Sequence, residues 1–169
     1  MASTSDLVTD SLDRVRETVH SILDDTPASD LATPPTPQSN TIAWLLWHLS
    51  RVLDDHLASA FDQEQVWTSG DWADRFALPF PIEAHGFGQS WAEVMEVRSS
   101  AELLRGYHDA VQDAVAQWVE GLDVAALDRV VDERWDPPVT LAVRLVSVIN
   151  DCTQHVGQAA YASGILARR

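Results

Sequence analysis

The sequence predicts an all-α fold, a four-helix bundle with long crossover connections, and three observations carry that reading. Four segments place apolar residues at steps of three and four, two long connections rich in Pro, Gly or aromatics separate them, and no segment alternates apolar and polar residues as a half-buried strand does. The first segment carries Leu7, Val8, Leu12, Val15, Val19, Ile22 and Leu23 with Asp and Arg between them, which predicts an amphipathic helix over about 6–24. Pro27, Pro34, Pro35 and Pro37 then forbid a helix through 26–40, and Ser39 or Asn40 is positioned to cap the next one. The second helix, about 41–61, presents Ile42, Leu45, Leu46, Leu49, Val52, Leu53 and Leu57, a face wide enough for two neighbours, so it is expected at the centre.

Between 62 and 100 the helical period fades, and Trp67, Gly70, Trp72, Pro79, Pro81, Gly86, Gly88 and Trp91 mix aromatics with turn formers. This predicts a long ordered connection packed on the bundle, either a functional lid or a closure for one end of the core. A third helix follows over about 101–122 with Leu103, Leu104, Tyr107, Val111, Val115, Trp118 and Val119 on one side, then a short helical turn near 124–127. The last helix is expected over about 138–163, with Asp136 as cap, Pro137 in the first turn and Gly164 as stop.

The 169 residues fit one domain spanning 1–169, and 46% hydrophobic residues with seven tryptophans can bury a core. A formal charge of -15 repels a phosphate backbone or an anionic membrane, so nucleic acid and membrane partners are excluded, and the acid excess reads as a solubilising surface. No apolar run approaches the ~20 residues that span a bilayer. The single Cys152 cannot close an internal disulfide, and the residues after Met1 lack a signal peptide's basic and apolar regions, so a cytoplasmic protein is expected. All eleven basic residues are arginine, a bias that points to a GC-rich, actinobacterium-like genome.

Chemistry concentrates where an apolar stripe turns polar. On the last helix Leu141, Leu145, Val148, Cys152, His155, Ala159 and Ala162 follow steps of three and four, with Asp151 one turn before His155. An i, i+4 pair has Cβ atoms about 6 Å apart, close enough for carboxylate and imidazole to meet one ion. His48 on the second helix, with Trp44 one turn back and Val52 one turn on, is also expected to face inward. Two histidines and a carboxylate suit a Zn²⁺ site with an open position, and the same spacing equally suits a hydrogen-bonded core network. His56 and Asp55 read as a surface ion pair or as support for such a site, and Arg144 as a partner of Asp55 or of an anionic substrate group. Cys152 reads as a packed core thiol, while His20, His85 and His108 carry no usable pattern.

The stretch Asn40-Thr41-Ile42-Ala43-Trp44-Leu45-Leu46-Trp47-His48-Leu49, with Asp151-Cys152-Thr153-Gln154-His155-Val156-Gly157-Gln158, resembles the DinB-like superfamily. In particular it resembles the actinobacterial branch related to mycothiol-dependent maleylpyruvate isomerase and mycothiol S-transferases. The resemblance covers almost the whole chain. It implies up-down-down-up connectivity, a homodimer, and a divalent metal held by a second-helix histidine and two last-helix residues four apart. By position these are His48, Asp151 and His155, the last because Val156-Gly157-Gln158 after it matches the family's His-x-Gly-Gln pattern. Many relatives carry histidine in place of Asp151 and the maleylpyruvate isomerases glutamate; aspartate keeps the carboxylate and shortens its reach by one methylene.

The chemistry so implied is thiol activation. The expected protein is a metal-dependent S-transferase, with Zn²⁺ expected and Ni²⁺ or Fe²⁺ also suited to His₂Asp, that brings a small thiol such as mycothiol to an electrophile. The bundle-sized chain favours transfer over isomerisation. Two other readings remain, a metal-binding protein of this fold without turnover and a helical interaction module.

Overall fold

A computed structural model describes residues 2–169 of the chain. Four long helices form the bundle: α1 (Thr4–Asp25), α2 (Ile42–Ala60), α6 (Ala101–Trp118) and α7 (Leu141–Leu166). Three short ones, α3 (Val66–Ser69), α4 (Trp72–Phe76) and α5 (Trp91–Val94), lie in the long connection, and a 3₁₀ turn (Ala125–Asp128) precedes strands β1 (Val130–Asp132) and β2 (Val139–Thr140).

α1 and α2 each pack against both α6 and α7, so α1 stands diagonally from α2 and α6 diagonally from α7. Side-chain pairs set the directions. Ser5 bonds the Val119 carbonyl while Arg105 pairs with Asp24, which makes α1 and α6 antiparallel. Arg144 reaches His56 while Cys152 meets the Leu49 carbonyl, which makes α2 and α7 antiparallel. Val8 neighbours Leu145 and Thr26 bonds Ser163, so α1 and α7 run parallel. The order is therefore up-down-down-up, the connectivity expected from the sequence.

α1 opens with a capping box, Ser3 with Asp6, and buries Val8, Leu12, Val15, Val19, Ile22 and Leu23, while Leu7 stays exposed. α2 is buried on nearly every side, because α6, α7 and the long connection enclose it. Burying one large aliphatic side chain contributes roughly 1.5–3 kcal/mol, so α2 contributes most per residue. Its cap is Thr41, whose side chain accepts the Trp44 N–H, in place of the expected Ser39 or Asn40. Leu31, buried in the proline-rich connection, explains the shift: its carbonyl takes the Ala43 N–H and leaves Thr41 at the helix edge.

The 62–100 connection is fastened to α2. Asp54, fully buried, accepts the Val66 and Trp67 N–H groups at 2.9 and 2.7 Å and the Tyr107 hydroxyl at 2.9 Å. Arg51, equally buried, donates to Gln65 and to the Ala84 carbonyl and lies 4.9 Å from the Trp67 ring. Trp67, Trp72 and Phe76 gather around Tyr107 and close that end of the core.

The start of α7 corrects the sequence reading. Asp136 and Pro137 do not open the helix; Thr140 caps it by accepting from Val143, and Val139–Thr140 pair antiparallel with Val130–Asp132, a short hairpin not anticipated. A helix tolerates proline in its first turn, but strand pairing claims the residues after Pro138 first. Gly164 does not stop α7 either: the helix continues to Leu166, whose burial outweighs a glycine penalty of about 1 kcal/mol. The third long helix ends at Trp118, earlier than expected, and the turn foreseen near 124–127 is the 3₁₀ turn.

Candidate metal centre

α2 and α7 bring His48, Asp151 and His155 together near the middle of their contact, with one potential donor atom from each within 4.8 Å of the others. Antiparallel packing does this. A step of four on α7 puts Asp151 and His155 on one face, and that face meets the His48 side of α2. The two imidazoles lie edge to face with centroids 4.6 Å apart, and Trp44 stacks on His48 at 4.6 Å and 13°.

Each imidazole is held through one nitrogen. His48 Nδ1 donates to the His85 carbonyl, and His155 Nδ1 donates to the Asp151 carbonyl at 2.9 Å. Such anchoring fixes ring and tautomer and leaves Nε2 as the free lone pair of each ring. His155 Nδ1 also lies 3.2 Å from Asp151 Oδ2, but its hydrogen is committed to the carbonyl, and Oδ2 stays buried without a hydrogen bond.

The electrostatics differ between the two imidazoles, favouring the neutral ring at His48 and protonation at His155. Burial pushes the His48 imidazole below its ordinary pKa, which keeps it neutral. Burial alone would raise the Asp151 carboxyl, but the neighbouring His155, His48 and His56 hold it low, so it stays anionic. Burial likewise works against the His155 imidazolium, and Asp151 more than offsets it and raises that imidazole. Cys152, next to Asp151, points into the core: burial pushes its thiol far up, which removes it as a nucleophile and agrees with its reading as a packed core thiol.

A polar cavity of about 590 Å³ has His85, whose carbonyl holds His48, in its wall together with Asp55, His56, Asp132, Arg134 and Arg144. Asp55 and His56 do stand as a pair, 3.5 Å apart, and do so in the wall of a cavity rather than on open surface. Arg144 pairs with Asp132 at 3.0 Å and stands 3.4 Å from His56 Nδ1; Asp55 is instead bonded by Gln65. Asp132, at the end of β1, receives both Arg134 and Arg144.

Two residues that hold His48 escaped the sequence reading. His85 acts through its backbone carbonyl, which has no side-chain signature. Gly86 follows at φ +100°, and a Cβ there would lie 2.6 Å from His48 Nδ1 and 3.1 Å from Trp44 Cζ2, so only glycine lets this backbone approach. Its presence in a turn-rich stretch was visible; its neighbour across the fold was not. Trp44 is fixed in turn by Gln89, which accepts its indole N–H at 2.7 Å.

Comparison with known proteins bears on this geometry. A solved structure described as a conserved protein of a locus from Enterococcus faecalis is similar to this chain, with a TM-score of 0.92, 29% sequence identity and 100% of both chains covered. No curated protein matches. The family model of the mycothiol-S-transferases matches residues 7–165, a span that includes nearly all of the four long helices and the whole His48, Asp151 and His155 cluster, and the chain belongs to that family.

Proposed function

We propose that this chain is a metal-dependent S-transferase that uses mycothiol, with His48, Asp151 and His155 holding one divalent cation, Zn²⁺ before Ni²⁺ or Fe²⁺. The observation that carries this reading is Asp151 Oδ2, a buried carboxylate oxygen without a hydrogen bond, beside two imidazoles anchored at Nδ1 and free at Nε2. Buried anionic oxygens are costly unless paired or bound to an ion, so the donor set fits a cation. Three protein ligands leave a position open. A cation held there, when bound, supplies Lewis acidity that lowers the pKa of a thiol.

The chain's own residues supply the rest. The polar cavity beside the cluster, with Asp55, His56, Asp132 and Arg144 offering alternating acceptors and donors, suits the hydroxyl-rich body of the thiol. Transfer forms a bond from sulfur to an electrophilic carbon as the carbon's bond to its leaving group breaks; the leaving group departs with that electron pair, and the thiol proton passes to solvent. Cys152 takes no part, being buried and held as the thiol.

Elemental analysis after mild purification, together with mycothiol conjugation to a generic electrophile, tests the proposal. Stoichiometric metal and conjugation are expected in the wild type, and both are expected to vanish in His155→Ala and Asp151→Ala. Metal without turnover would reduce the protein to a binding role. Absence of uptake from Zn²⁺, with no thermal shift, would leave a hydrogen-bonded core network.

A further inference from the structure

The polar cavity of about 590 Å³ takes its walls from α2, α7 and β1. On α2 His56 comes about two turns after His48, and on α7 Arg144 comes about two turns before Asp151. The two helices are antiparallel, so both steps lead to the same end of their seam, where Arg144 reaches His56. That end lies roughly 10–12 Å along the helix axes from His48 and Asp151. A thiol with its sulfur at the cluster would meet these walls with the far part of its body.

Arg134 and Arg144 both donate to Asp132, at 2.9 and 3.0 Å, and the lining holds Asp55, Asp132 and Glu133 against these two guanidiniums, so it favours no anion. His56 is the wall residue whose donor is fixed. Arginine only donates, so the Arg144 N–H at 3.4 Å requires a lone pair on His56 Nδ1, and the hydrogen of the neutral ring is then on Nε2. Asp55 Oδ2, 3.5 Å from the same Nδ1, makes no hydrogen bond with it. Burial and the Arg144 charge both hold this imidazole below its ordinary pKa, which keeps a second proton off. Nε2 bonds none of the described residues, and with the side chain one-third exposed it is not sealed in the core.

We propose that His56 is a specificity-determining residue of this cavity: its Nε2–H donates to a neutral oxygen, hydroxyl or amide carbonyl, in the body of the thiol. Arg144, braced by Asp132, is the positioning residue that fixes the ring as this donor. The inference rests on the mycothiol reading above. It gives His56 no share in moving the thiol proton, because Nδ1 is occupied and Nε2 already carries a hydrogen.

Calorimetric titration of the zinc-loaded chain with S-methylmycothiol tests it, since a sulfur without a proton reads the grip on the body alone. The wild type should bind, His56→Leu about tenfold more weakly for one lost hydrogen bond, and His56→Gln, which restores an N–H donor, within about twofold of wild type. In conjugation His56→Leu should raise KM for mycothiol by the same factor at unchanged kcat. A nitrogen-15 spectrum at neutral pH, with His56→Gln locating the signal, should show the Nε2–H tautomer and a shift of that signal on binding. Affinity untouched by His56→Leu, a fall in kcat at constant KM, or the Nδ1–H tautomer would overturn the inference and leave the mycothiol reading intact. A wild type that takes up zinc but neither binds S-methylmycothiol nor conjugates mycothiol would overturn both. Should His56→Leu fail to fold, the tautomer and the shift on binding still decide.

Discussion

Asp54 and Asp151 are two carboxylates in the same bundle, and they are treated in opposite ways. Asp54 is fully buried and receives two backbone N–H groups, a tyrosine hydroxyl and, at 3.7 Å, Arg51. Asp151 is less buried, and its Oδ2 has no hydrogen bond at all. The first is used up by the protein; the second is kept available. Hydrogen-bond satisfaction therefore separates polar groups that build this fold from those that face a missing partner more clearly than burial does.

The largest expected effect comes from breaking the satisfied member. Asp54→Ala strands Arg51 and two backbone donors, and urea unfolding should show a loss of about 3–5 kcal/mol. A loss below about 1 kcal/mol would dissolve the contrast with Asp151. Next comes the support of the open cluster. Gly86→Ala drives a methyl into His48, so Zn²⁺ affinity against a chromophoric chelator should fall about 10–100-fold. Gly88→Ala is the control, because its φ is also positive but nothing lies in the way of a Cβ, and it should leave the affinity unchanged.

His108 sharpens the comparison through pH. It is buried between Ser50 at 3.0 Å and Gln112 at 3.2 Å, and Gln112 donates onward to the Leu12 carbonyl. Ser50 already donates to Leu46, so it accepts from His108 Nδ1–H, and Nε2 accepts from Gln112: a neutral ring with both nitrogens used. Burial pushes its pKa down to about 3 from the ordinary 6.5. The unfolded chain binds a proton that the folded one refuses, so stability is full above pH 6.5 and falls as pH drops from there towards 3. The slope should approach 1.4 kcal/mol per pH unit, read as about one proton by linkage, and His108→Gln should flatten it. The smallest effect belongs to Asp151→Asn without metal. It removes a half-buried charge whose nearest ionic partner is the His155 imidazole, and unfolding free energy should fall by no more than about 1 kcal/mol.

The long helices and the spacing of Asp151 and His155 were legible in the sequence because a step of three or four is a local property of one helix. His48 was legible as an inward residue, but its meeting with the pair depends on which helices become neighbours, and resemblance supplied that. The hairpin before α7 was hidden, since β1 and β2 together have only five residues and too little alternation to see. The hold on His48 was hidden for a deeper reason: a carbonyl and a hydrogen-only side chain act through position, which a residue name does not encode. Of the aromatics of 62–100, Trp67, Trp72 and Phe76 pack on the bundle as expected, while Phe87 and Trp91 stay exposed. The connection's other task, bringing the Ala84–Gly86 backbone up to His48, depends on the buried Arg51 and Asp54, which look from sequence like ordinary helix charges.

The sealed thiol of Cys152 has a practical corollary when joined to the composition. The chain has no lysine, and its single cysteine is shut inside the core, so it shows a reactive electrophile neither a lysine amine nor an exposed thiol. A fold made this way offers a thiol-selective alkylating reagent no target. Its intact mass should therefore stay constant in excess electrophile while folded, and gain a cysteine adduct on denaturation.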